Sequence, residues 1–220
     1  MRSRAFLPLA ALAGASFWCI LLLGVRKYAF GSVHYNGLVV NLGLAWVPLL
    51  LALVLVAAYR RRVPRLQLLA IGTVWLVFLP NAPYVLTDFV HLDQAHRLFD
   101  SVIIASFAFT ALALGFASLL LVQLVVTRAA GAMFGWVVAL SSLFLASIGM
   151  YLGRVQRLNS WDLLQRPRLI GGLVRSRLHD PFGNRYLIGF VIAVCGFLTL
   201  AYLGLYGMAS LAATARRGRT

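Results

Sequence analysis

Residues 101–125 read SVIIASFAFTALALGFASLLLVQLV and contain no charged side chain. At 1.5 Å per residue such a run makes a helix of about 37 Å, enough to cross a hydrocarbon core of about 30 Å. Similar apolar runs occur at 5–25, 37–59, 66–80, 132–153 and 186–208. The runs are continuous. A transmembrane barrel would instead show alternating segments of about ten residues. The chain therefore reads as all-α, a polytopic helical bundle of about six spans forming one transmembrane domain over 1–220.

Composition agrees with that reading. The chain has 220 residues, of which 62% are hydrophobic and 11% charged, and its mean hydropathy is +0.89. Six spans consume most of such a length, which excludes a large soluble domain. The formal net charge is +15, and all five acids are aspartates. The arginines flank apolar runs, where they anchor helix ends and meet anionic head groups. Nucleic-acid binding is set aside because no arginine cluster sits on a soluble module. Membrane lipids are the expected partners, and a protein partner or homo-oligomer is left open. Cys19 and Cys195 lie inside apolar runs and read as small hydrophobes rather than a disulfide. The run 5–25 is too long for a signal-peptide core and has no small-residue exit, so it reads as a retained first span.

The third run differs from the rest. Leu66 to Leu79 spans only about 21 Å before Pro80-Asn81-Ala82-Pro83. The two prolines remove two backbone donors, so the helix is expected to kink or stop there. Irregular backbone at membrane depth is tolerated only when packed in protein or lining a wet cavity, which makes this break the first pointer to a site. Asn41 and Pro48 make the second run polar near its start and expected to bend further on, with Asn41 turned towards other helices. Between the last two spans, 159–180 reads as an interfacial amphipathic helix. Asn159 and Ser160 suit its cap, Asp162 its first turn, and Leu169, Ile170, Leu173, Val174 and Leu178 its apolar stripe.

The lysines and arginines flanking six spans divide equally, ten to each side. The arginine-dense link of 60–65 favours both termini in the cytoplasm, with a multi-pass chain in a prokaryotic plasma membrane. A re-entrant third run would divide them fourteen inside to six outside and reverse the placement of the polar segments.

Two polar strings follow the third and fifth runs. One holds Asn81, Tyr84, Thr87, Asp88 and His91; the other holds Arg154, Arg157, Asn159, Ser160, Trp161 and Asp162. Both leave the membrane on the same face in either topology. Three readings of these residues stay open. In the first, Arg154 and Arg157 clamp an anionic lipid or lipid-linked head group while Asn81, Tyr84 and Asn159 hydrogen-bond around it, since guanidinium forks match phosphate oxygens. In the second, Asp88 pairs with Arg154 and Asp162 with Arg157 as a structural clasp in an assembly protein. In the third, a membrane-embedded hydrolase or transferase uses His91 as general base, oriented by Asp88 or Asp162. A metal-dependent version would recruit Asp93 or His96, but no metal or cofactor motif is present and none is assigned.

The strings Asn41-Leu42-Gly43-Leu44-Ala45-Trp46-Val47-Pro48, Phe78-Leu79-Pro80-Asn81-Ala82-Pro83-Tyr84 with Thr87-Asp88 and His91-Leu92, and Tyr151-Leu152-Gly153-Arg154 with Arg157 and Asn159-Ser160-Trp161-Asp162 resemble an uncharacterised prokaryotic membrane family. It is the one catalogued as domain of unknown function 1361. The resemblance covers roughly residues 37–205. It implies a multi-span membrane protein of this length and supplies no activity, substrate or catalytic residue.

Overall fold

The computed structural model describes residues 2–31, 35–91, 96–155, 172 and 183–217. The expected interfacial helix of 159–180 lies almost wholly outside them. Seven α-helices are described: α1 (Arg2–Phe30), α2 (Asn36–Arg60), α3 (Arg65–Phe78), α4 (Asn81–Tyr84), α5 (Arg97–Ala130), α6 (Ala132–Val155) and α7 (Arg185–Arg217), with a 3-10 helix at Val85–His91. No strand occurs among the described residues. Six helical stretches are long and apolar enough to cross a membrane: Leu7–Phe30, Gly37–Arg60, Arg65–Phe89, Arg97–Ala130, Ala132–Arg154 and Arg185–Ala212. The chain divides into two compact units, Met1–Val125 and Val126–Thr220.

In the first unit α2 packs against α3, α4 and the 3-10 helix. Its core draws Cys19 from α1, Leu38, Leu42, Ala45 and Leu49 from α2, Ala82 from α4 and Val85 from the 3-10 helix, and Ile103, Ile104, Phe107, Ala108, Ala111 and Leu114 from α5. Lipid tails are as apolar as leucine, so association inside a bilayer rests on close packing and interhelical hydrogen bonds. Both are present. Trp46 Nε1 donates to Ser16 Oγ at 3.1 Å, joining α2 to α1. Trp75 Nε1 donates to Ser118 Oγ at 3.2 Å, joining α3 to α5. Cys19 Sγ and Thr110 Oγ1 lie 3.5 Å apart between α1 and α5. A Cβ built on Gly115 would stand 2.7 Å from the Ala82 Cβ, so only glycine permits α5 to approach α4 this closely.

In the second unit α6 packs against α7. Trp136 meets Tyr206 edge-on with ring centroids 4.8 Å apart. Asn184 begins α7: its Oδ1 accepts from the Leu187 N–H at 2.9 Å, the bond expected of a helix N-cap. Its Nδ2 donates to Tyr151 Oη at 2.9 Å, which ties that cap to α6. Helices α5 and α6 are separated by Gly131 alone, whose φ of 99° breaks the helical path.

The segment after α3 is irregular for a reason that can be followed atom by atom. In an α-helix the Leu79 carbonyl would accept from residue 83, but Pro83 has no N–H. The Ala82 N–H bonds Leu79 O instead, at 3.1 Å. That removes the regular donor to Phe78 O, and Asn81 Nδ2 replaces it at 2.9 Å. Leu79 and Pro80 keep right-handed dihedrals. The chain then turns once as α4 and continues as the 3-10 helix, where Thr87 Oγ1 donates to Tyr84 O at 2.7 Å.

Candidate polar site in the first unit

The C-terminal end of α1, the N-terminal ends of α2 and α5, and the segment after α3 supply two groups of polar side chains. The first centres on Asp100. Arg26 Nε donates to Asp100 Oδ1 at 2.7 Å, Arg26 Nη2 donates to Oδ2 at 3.3 Å, and Tyr35 Oη donates to Oδ2 at 3.0 Å. Arg26 is 3% exposed and Asp100 fully buried. The Arg26 guanidinium stands 5.2 Å from the centroid of the Phe30 ring, and the His96 ring lies 4.2 Å from the same ring. A guanidinium fork matches a carboxylate in two bonds, and such a desolvated pair is tolerated only with this degree of satisfaction.

The second group centres on Asp88, which is 8% exposed. Asn41 Nδ2 donates to Asp88 Oδ2 at 3.0 Å, joining α2 to the 3-10 helix. Asn81 and Tyr84 are half-buried on α4, and Asn81 spends one donor on the Phe78 carbonyl as described above. His91 ends the 3-10 helix; with three residues per turn, positions 88 and 91 fall one turn apart.

Arg154 is half-buried in the last turn of α6, in the second unit. Arg157, Asn159, Ser160, Trp161 and Asp162 lie outside the described residues, as does Asp93. Among the described residues, no group of three or more histidine, cysteine or acidic side chains is placed to hold a metal ion.

Sequence reasoning missed the Arg26–Asp100–Tyr35 cluster. Arg26 and Asp100 each stand one residue beyond the apolar runs 5–25 and 101–125, so both read as loop charges. The usable signal was helical continuity: α1 extends to Phe30 and α5 begins at Arg97, which carries both charges into the helices.

Neither the curated proteins nor the solved structures include a match to this chain. A family model described as a protein of unknown function, DUF1361, matches residues 40–201, a stretch that holds Asn41, the whole 81–91 segment and Arg154. With most of its length so matched, and with six helices fit to cross a membrane, the chain belongs to the DUF1361 family.

Proposed function

We propose that this membrane protein binds the polar head group of a phosphate-bearing lipid or lipid-linked molecule at the 81–91 segment. The observation that carries the reading is the Asn41–Asp88 hydrogen bond, with its carboxylate buried beside irregular backbone. An ionisable residue kept at the end of an otherwise apolar span is a functional hypothesis by default. A seven-residue 3-10 helix is longer than such helices usually run, and such stretches often mark functional positions. Asn41 orients the Asp88 carboxylate, which accepts from a head-group hydroxyl or ammonium, while the Tyr84 hydroxyl and the Asn81 amide border the same segment as neutral hydrogen-bonding groups. The anionic clamp expected of Arg154, Arg157 and Asn159 is a separate proposal, tested by Arg154→Lys, which should weaken lipid retention despite keeping its charge because an ammonium cannot fork.

The test is lipid analysis of the full chain purified in mild detergent, by native mass spectrometry and by extraction. Asp88→Asn preserves shape and removes charge. It should lower retention of the co-purified lipid by about 10- to 100-fold, the worth of one charge-assisted hydrogen bond. The same lipid at the same stoichiometry in wild type and Asp88→Asn overturns the reading.

The Arg26–Asp100 fork favours a structural role for the other polar group: a clasp joining α1, α2 and α5. Replacing both partners by apolar residues, Arg26→Met with Asp100→Leu, removes the pair without stranding a charge. An unchanged lipid profile in that variant supports the clasp, and a lost one assigns the fork to ligand binding.

A further inference from the structure

The turn between α2 and α3 carries Arg60, Arg61, Arg62 and Arg65, all four exposed. Among the described residues no ion pair reaches any of them. The nearest acid along the chain is Asp88, and there is no glutamate. The backbone of the turn is fixed. The Val63 N–H bonds Ala58 O at 3.1 Å and the Arg62 N–H bonds Tyr59 O at 3.0 Å, the two bonds of a Schellman helix end. Its left-handed position is normally glycine, because a side chain there costs about 1–2 kcal/mol. Here it is Arg62, with φ of 56°. The fold thus keeps a guanidinium at a position where glycine would be more stable.

What lies beside the arginines narrows the partner. Leu66 is 78% exposed and Leu69 is 67% exposed, one turn further along α3. An amphiphile fits this juxtaposition of guanidinium groups and apolar surface, whereas a soluble anion would use only the charges. We infer that the α2–α3 turn is a second lipid site, in which Arg61, Arg62 and Arg65 take the phosphates of an anionic phospholipid and Leu66 and Leu69 line its acyl chains. Guanidinium forks suit phosphate oxygens, and each arginine near an anionic head group adds to the attraction. The turn lies at the opposite end of α3 from the 81–91 segment, so the two proposals fail independently.

The experiment titrates cardiolipin, which carries two phosphates, onto the delipidated full chain in detergent, with native mass spectrometry as the readout and phosphatidylcholine as the neutral control. The triple variant Arg61→Gln, Arg62→Gln, Arg65→Gln should lose cardiolipin affinity on the order of a hundredfold. Arg62→Gly is the sharper test: it should raise the melting temperature by relieving the left-handed residue and lower cardiolipin affinity about fivefold. A purely structural residue would not separate those two signs. Unchanged or higher affinity in Arg62→Gly overturns the site. So does an equal loss in the control Arg128→Gln with Arg185→Gln, which would make the attraction general. Displacement of cardiolipin by an equal concentration of inorganic pyrophosphate would overturn the lipid as the ligand.

Discussion

Arg26 and Asp100, 74 positions apart, meet side by side as a two-bond fork at the end of the first unit, with Tyr35 completing the carboxylate's shell. The fork joins the first and fourth spans, and the tyrosine at the start of α2 makes it three-sided.

Breaking that fork from one side should be costly. Asp100→Asn or Arg26→Gln leaves one buried charge without its counterpart, and a loss of about 3–5 kcal/mol is expected. Tyr35→Phe removes one hydrogen bond to a charged group and should cost about 1.5–3 kcal/mol. Thermal unfolding in detergent measures both, and the double apolar variant should lie much closer to wild type than either single one.

Gly115→Ala should destabilise by about 1–3 kcal/mol, the usual cost of adding a methyl group to a filled interior. The new Cβ would fall 2.7 Å from that of Ala82. Adding Ala82→Gly to Gly115→Ala should restore part of the loss, since contacting residues couple. A single variant that melts like wild type would show that α4 moves freely.

How far the sequence could be read is best seen at three places. Five of the six spans follow from apolar runs long enough to cross on their own, whereas the third run of 66–80 is too short and the helical stretch fit to cross there, Arg65–Phe89, extends through the proline segment. The Arg26–Asp100 fork was hidden because charge marks the edge of an apolar run, and a pairing across 74 residues leaves no local trace. At 80–83 the sequence announces two missing donors. Which atoms replace them depends on the Ala82 N–H and Asn81 Nδ2, a choice settled only once the turn is built. Asn81, expected to face a ligand, thereby acquires a backbone task.

That task is testable. Asn81→Asp keeps the shape and removes the donor to Phe78 O, so the carbonyl loses a partner and faces a carboxylate. The expected cost is about 1–3 kcal/mol, the penalty for an unsatisfied buried group. Faster hydrogen exchange in the last turn of α3 should accompany it, and wild-type exchange there would contradict the donor substitution.

In the second unit Asn184→Ala should cost about 1 kcal/mol through the lost N-cap. Asn184→Asp should retain most of the stability, because a carboxylate oxygen still accepts from the Leu187 N–H and suits the positive end of the helix dipole. Hydrogen exchange at Leu187 reads the cap locally: fast in the alanine variant, protected in the aspartate one.

A lipid head group held against the 81–91 segment should be captured there by photo-crosslinking in native membranes. A benzophenone amino acid is placed at Tyr84, on α4, and separately at Phe109, which is 74% exposed on α5. After illumination, mass spectrometry identifies the adducts. A phosphate-bearing lipid should be enriched at position 84 over position 109, with the enrichment lost in Asp88→Asn. Adducts at position 84 that match the bulk lipid composition found at position 109, and that ignore the Asp88 substitution, would contradict it.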